Sequence, residues 1–401
     1  MLVINRKSKN YDISAAFAIS FVLLHFKNII VEGSAFLYQN ISTLNILIAA
    51  ISLILYARLL INHHVIVINQ KAIAVWLFVL TSWLISIVFF PKYFVYASVK
   101  NELSEFIIYS VPALLFLPAL TDCDELLHWL YKLRWLLFFG ACYAVISMTI
   151  SGRVQSGGNR YVEYSMSYGR AMILPTLLFI SKWFKDKEFK DLLCSILCVI
   201  FVIAYASRFP LLCIAFYIAW KYLKDSLNPK KLFLVASALL GMFIIYIFQD
   251  TIINLLAQLF SRFGINSRNL ILLLNGNIGY DSGREGIWQD LIQSLKSSPV
   301  FGFGAGGPNY MLNGGASHSY IFDTLGTYGY LGGILFMLTT NLIIIKKYRR
   351  TINPCKKEIM DIAFAGFYPI CIFQMSLWRA YFFWILIAIC CMNNIEFADE
   401  E

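Results

Sequence analysis

Charge is scarce in this chain. Only 14% of its 401 residues are Asp, Glu, Lys or Arg, and 59% are hydrophobic, against about 25% and roughly 45–50% in a soluble domain. That balance, with a mean hydropathy of +0.68, excludes an ordinary soluble globular domain. The short alternating segments of a transmembrane barrel are missing too. Continuous apolar runs such as 233–248 take their place, and the α-helix is the only other way to satisfy backbone groups in lipid. Histidine is thin, at five residues, and the adjacent His63 and His64 make a poor metal pair. No metal or other cofactor is expected. Nine cysteines are present: Cys123, Cys142, Cys194, Cys198, Cys213, Cys355, Cys371, Cys390 and Cys391. All fall in apolar runs or inner connections, which leaves none placed for a disulfide in an oxidising compartment. No repeat of 20–50 residues is visible, which excludes a solenoid.

What is there is a series of apolar runs near 12 to 30, 41 to 61, 72 to 90, 103 to 121, 129 to 150, 165 to 183, 190 to 206, 209 to 223, 231 to 250, 318 to 345, 360 to 377 and 379 to 393. A membrane helix needs about 20 residues to cross a hydrocarbon core of ~30 Å. The expected fold is all-α and integral to the membrane, with about twelve transmembrane helices. Residues 1–250 hold nine of them, 251–317 form one large outer loop, and 318–401 hold the last three and a tail. The first run lacks a cleavage site and is read as a retained span.

The net charge of +10 is placed for membrane topology, not for nucleic acid. With the N-terminus inside, 21 of the 33 Lys and Arg fall on inner segments, so the positive-inside rule favours both termini in the cytoplasm. Sixteen of those 21 are Lys, whereas seven of the ten outer cations are Arg. A guanidinium binds phosphate through a planar fork, and an ammonium is closer to a point charge. An Arg-rich outer face points to an anionic group handled there.

The outer loop is the longest connection, and structureless loops of that length are uncommon unless functional. Ile252, Leu255, Leu256, Leu259, Phe260 and Phe263 recur at helical spacing and predict a helix along the interface. Residues 264–281 read as irregular. Ser282 and Glu285 then form a capping box, with Ile287, Trp288, Leu291 and Leu295 on one apolar face, which predicts an amphipathic helix from 283 to about 296. Gly302, Gly304 and Gly307 match G-x-G-x-x-G, yet no strand precedes them; they read as a flexible, closely approachable backbone.

Individual residues carry the chemistry. Arg284 falls in the first turn of the predicted helix, where unpaired N–H groups favour anions. Arg208 sits in a tight connection before Pro210. Arg153 and Arg160, with Glu163, Tyr161 and Tyr164, make a surface suited to sugar and phosphate, and Arg170 lies about two turns into the following span, where a charge is costly enough to count as functional. His318 is the only outer histidine, with Asp323 just over a turn below, and imidazole is the commonest general base near neutral pH. Arg379 closes the last outer hairpin beside Trp378.

Taken in order, SRFPLL at 207–212, R-E-G-I-W at 284–288, SPVFGFGAGG at 298–307 and SHSYIFDTLGTYG at 317–329 resemble the bacterial O-antigen polymerase (Wzy-type) and ligase superfamily. Phe209 replaces the Gly of a common S-R-G start. The resemblance implies inverting, metal-independent glycosyl transfer at the periplasmic face of the inner membrane, with undecaprenyl pyrophosphate-linked oligosaccharides as donor and acceptor. It implies Arg208 and Arg284 on the pyrophosphate and His318 at the acceptor hydroxyl, with Arg153, Arg160, Glu163, Arg170, Trp288, Asp323 and Arg379 as further substrate contacts. A flippase and a chain-length regulator are the implied partners. A polymerase is favoured; a ligase acting on the lipid A core, and a lipid-linked oligosaccharide flippase, are the alternatives.

Overall fold

The structure, a computed structural model, describes residues 3–63, 70–151, 165–205, 209–224, 249–262, 284–372 and 375–392. Among them, helix is the only extended secondary structure. The main elements are α1 (Val3–Gly33), α2 (Ala35–Gln39), α3 (Ile41–His63), α4 (Gln70–Phe89), α5 (Ala97–Glu105), α6 (Val111–Phe116), α7 (Asp124–Ser151), α8 (Met166–Asp186) and α9 (Phe189–Tyr205). After these come α10 (Phe209–Leu223), α11 (Gln249–Arg262), α12 (Arg284–Leu295), α13 (Gly307–Met311), α14 (Tyr320–Arg350), α15 (Pro354–Phe367) and α16 (Tyr381–Cys391). The apolar runs therefore fold as helices close to where hydropathy places them, and α11 and α12 fall where amphipathic spacing predicts. The run at 231 to 250, the irregular stretch at 264–281 and the capping residue Ser282 lie outside the described residues.

Among the described residues six helical segments are long and apolar enough to cross a bilayer: Lys9–Gly33, Ile41–His63, Gln70–Phe89, Ala97–Ala119, Asp124–Ile150 and Tyr320–Arg350. Several turn bare hydrocarbon outward. Leu53, Ile61 and Leu342 are 70%, 70% and 66% exposed, and contiguous apolar surface of that kind is stable against lipid, not water. The chain is an all-helical membrane protein.

The chain divides into two compact units. One comprises Met1–Val22, Leu47–Lys132 and Asp281–Glu401, the other Leu23–Ile46 and Leu133–Tyr280. In the second, α8 is apolar all round and buried from Ala171 to Ser181, the pattern of a helix enclosed by neighbours. A Cβ on Gly33 would stand 2.7 Å from the Ala144 Cα, so small residues allow the C-terminal part of α1 to cross α7 closely. Arg134 donates to Asp191 at 2.7 Å with both groups buried, which offsets the cost of placing either charge there alone.

In the first unit α16 is the central helix, with every residue from Tyr381 to Cys391 buried. The stretch between α15 and α16 departs from the expected hairpin between two long spans. The helix ends at Phe367, gives way to the 3₁₀ turn Tyr368–Ile370, and continues as non-helical chain, because Pro369 has no N–H to extend the ladder. Met375, Leu377 and Trp378 in that chain are at most 1% exposed. Residues 375–380 thus re-enter the interior, where irregular backbone is tolerated only if protein groups satisfy it. The segment Ala97–Ala119 is also interrupted, by the π-helical turn Phe106–Ser110, just ahead of Pro112, whose missing N–H breaks the regular pattern.

α14 is broken at Gly329, where φ is 75° and ψ 178°. The break orphans the carbonyls of Gly326 and Thr327 and the N–H of Tyr330. The glycine-rich loop supplies all three partners: Phe303 N–H donates to Gly326 at 2.8 Å, Gly304 N–H to Thr327 at 2.9 Å, and Tyr330 N–H donates to the Pro299 carbonyl at 2.7 Å. The loop therefore does not serve as a yielding backbone; it is a splint built into a helix. A Cβ on Gly302 would overlap the Gly329 nitrogen, and one on Gly329 the Val300 carbonyl. Gly329→Ala meets both a glycine-only backbone region and that overlap, so a loss of about 3 kcal/mol or more is expected. Thermal unfolding of the detergent-purified chain measures it, against Gly286→Ala, which has nothing within 4 Å of the new methyl and is expected to leave the melting temperature unchanged or raised.

Candidate functional site

The site is built in the first unit from α12, α14, the start of α13 and the re-entrant chain. On α12, Arg284, Trp288, Leu291 and Leu295 follow one another at spacings of four, three and four, a single helical stripe. Leu291 and Leu295 are fully buried, and the Leu291 side chain lies against Gly326 of α14. Arg284, only 6% exposed, heads this stripe. It is not a solvated surface cation: it is buried in the first turn of α12, on the helix face whose Leu291 packs on α14.

Trp288 ties that row to the histidine. Its indole Nε1 donates to the Ser317 carbonyl at 2.9 Å, and its ring stacks on Phe322 with centroids 4.9 Å apart. Between two buried serines stands His318, half-exposed, with a left-handed φ of 51°. Only a small share of non-glycine residues adopt that conformation, and such strain gathers at functional positions. The turn sends Ser317 and Ser319 inward. Ser319 caps α14 by accepting from Phe322 N–H, and Ser317 Oγ donates to Asp323 Oδ1 at 3.2 Å. The other Asp323 oxygen accepts the Leu377 N–H at 2.9 Å. Asp323 is thereby occupied in holding the His318 turn and the re-entrant chain, a positioning role more than a contact with substrate.

A second carboxylate completes the interior. Glu102 on α5, 2% exposed, accepts from Asn309 Nδ2 at 3.0 Å and from Ser376 Oγ. Arg379 on the re-entrant chain pairs with Glu105 at 3.4 Å. Glu102, Asn309 and Ser376 escape a reading by hydropathy because Glu102 lies at the edge of an apolar run and its partners are more than 200 residues away. The available signal was the charge itself, since an acid beside a span is functional or paired by default.

Toward the exposed end, Tyr93 and Tyr310 lie with ring centroids 4.8 Å apart, Tyr96 meets Tyr310 edge-on at 5.8 Å, and Lys92 sits 5.1 Å over the Tyr310 ring. Burial, and to a lesser degree Tyr310, hold the Tyr93 phenol above its ordinary pKa, so it stays neutral and able to donate. Beside α12 a pocket of 390 Å³ is walled by Asp290, Gln293, Ser294 and Asn313. These are the acceptors and donors that sugar hydroxyls use.

The structure brings Arg284, Trp288, His318 and Asp323 together, with Arg379 on the re-entrant chain that Asp323 anchors. Arg170 belongs to the second unit, half-buried on α8. Arg153, Arg160, Glu163 and Arg208 lie outside the described residues. Among the described residues no three metal-ligating side chains converge.

Glu102→Ala leaves Asn309 and Ser376 without their acceptor, at about 1–3 kcal/mol for each buried group, whereas Glu102→Gln keeps one carbonyl and is expected to cost less than half as much. Melting curves of the two purified variants distinguish them; equal losses would mean that the carboxylate charge, not the acceptor, is what the fold requires. 

No family model, curated protein or solved structure matches this chain.

Proposed function

We propose that the protein is a surface-polysaccharide polymerase of the O-antigen type. It joins undecaprenyl pyrophosphate-linked repeat units by inverting, metal-independent glycosyl transfer at the periplasmic face of the inner membrane, on a chain of about twelve spans with both termini in the cytoplasm. The observation that carries this reading is that Arg284, buried in the first turn of α12, shares its helix face with Trp288, whose indole donates to the Ser317 carbonyl next to His318 on its left-handed turn.

The chemistry follows from those two groups. Breaking the bond between the sugar's anomeric carbon and the pyrophosphate leaves negative charge on the departing oxygen. Arg284 stabilises that charge as it forms, the task that the resemblance gives to Arg208 as well; preorganised donors in a dry site do this without reorganising. The acceptor hydroxyl attacks the opposite face of the anomeric carbon and inverts it, and His318 takes its proton. The Tyr93, Tyr96 and Tyr310 cluster and the pocket beside α12 offer the aromatic faces and polar walls that pyranose rings require.

A flippase reading draws on the broken helix α14 and the buried Glu102, features expected of transporters. It is the weaker one, because the Gly326 and Thr327 carbonyls and the Tyr330 N–H at the break are taken by the protein's own loop.

The test is a gel of surface polysaccharide, with the lipid-linked pool extracted in parallel, from a strain lacking the protein and from the same strain carrying variants. Single repeat units on the lipid A core or on the carrier are expected. Long polymer stranded on the carrier beside a bare core would assign the protein as a ligase instead. Arg284→Ala and His318→Ala are expected to reproduce the deletion at normal membrane levels, a loss of about a hundredfold or more for each. Arg284→Lys is expected to stay poor, since a point charge does not reproduce the fork; full chains from both alanine variants would overturn the assignment.

A further inference from the structure

At the end of α14 farthest from His318 lies a groove of 660 Å³ along α4, α14 and α16. Its walls are apolar, formed by residues such as Val75, Phe78, Phe336, Ile343 and Ile387, and one end carries Lys71, Lys346, Lys347 and Arg350. These four cations come from two different helices and line the same opening. Among the described residues none of the four has a carboxylate at ion-pairing distance. From Arg350 to Phe336 the helix rises about 21 Å, close to the ~15 Å of one hydrocarbon leaflet plus its headgroup layer.

A second cavity of 520 Å³ continues past Phe336 and Thr340 to Tyr328 and Phe301. No charged residue lines it. The two together form a channel of hydrocarbon character with charge at one end only, and that polarity decides the occupant. An isoprenoid donor whose phosphate lay at the His318 end would find no counter-charge in the groove there, whereas an amphiphile with its phosphate at the Lys and Arg end finds four.

We infer that this groove binds an anionic glycerophospholipid of the leaflet on the Lys71 side, its phosphate held by Lys71, Lys346, Lys347 and Arg350 and an acyl chain laid between α4 and α14. Cations in such positions also orient a membrane protein, yet orientation needs charge alone and not an apolar trench leading from it. The inference does not depend on the proposed glycosyl transfer, and lipid binding is read without it.

The experiment uses the full chain in vesicles of phosphatidylcholine with phosphatidylglycerol, and measures the immobilised fraction of spin-labelled phosphatidylglycerol against spin-labelled phosphatidylcholine. Clear selectivity for phosphatidylglycerol is expected. Replacing all four cations by Gln is expected to lower the affinity for it roughly tenfold or more, and Lys71→Arg with Lys346→Arg and Lys347→Arg to preserve it. Because removing four cations can also disturb insertion, Ala74→Trp fills the apolar wall with every charge intact, and is expected to release the lipid as well. Equal immobilisation of the two lipids by the intact chain overturns the proposal. So does displacement of phosphatidylglycerol by an equal mole fraction of undecaprenyl phosphate. The acidic residues Glu396, Asp399, Glu400 and Glu401 are the other candidate occupants. Selectivity that appears only after removal of residues 394–401 assigns the groove to them and overturns the lipid.

Discussion

The structure depends on how it repairs one broken helix. In lipid, a backbone carbonyl or N–H without a partner costs several kcal/mol, so a membrane-length helix such as α14 cannot simply stop and restart at Gly329. The loop at 299–304 supplies donors and an acceptor to the groups that the break orphans, and it approaches closely enough only because glycine stands at both 302 and 329. One consequence is geometric. The first piece of α14, which begins beside His318, is fixed against the loop, and through Pro308 and Leu291 near Gly326 against α12 and α13 too. The elements that present Arg284 and His318 are thus locked to each other by backbone hydrogen bonds and not by side-chain packing alone.

The same economy governs the buried carboxylates. Asp323 and Glu102 are both buried, and each is taken up by fixed donors: Leu377 N–H and Ser317 for the first, Asn309 and Ser376 for the second. These acceptors let residues 375–380 run as irregular chain through the interior, and they let Ser317 turn inward while His318 adopts its left-handed backbone. A low local dielectric makes satisfied networks rigid and unsatisfied ones costly. The carboxylates therefore fix the backbone beside His318 and along residues 375–380.

Charge is divided along the chain by type as well as by number. Lys71, Lys346, Lys347 and Arg350 gather where α4 and α14 leave the apolar region, while Arg284 is buried in a packed row. The first place holds three hydrated ammonium groups beside one guanidinium. A guanidinium, more weakly hydrated and with a fixed fork, suits the second.

Hydropathy and spacing by themselves determined the all-helical class, the positions of the apolar helices and the amphipathic α11 and α12, because those depend only on the sequence of side-chain transfer energies and on a 3.6-residue period. Arg284, Trp288 and His318 were legible as candidates for the same reason: each stands out against apolar or capped surroundings. Tertiary structure alone decided that Trp288 holds the His318 turn, that Asp323 positions the chain around it, and that Glu102 joins Asn309 and Ser376 across more than 200 residues. It also decided that the glycine-rich loop mends α14. A positive φ at His318 or a break at Gly329 has no signature in composition, because its cost is offset only by partners brought from elsewhere in the chain. The re-entrant 375–380 segment was hidden for a related reason: its side chains are as apolar as those of a span, and only the location of donors and acceptors tells one from the other.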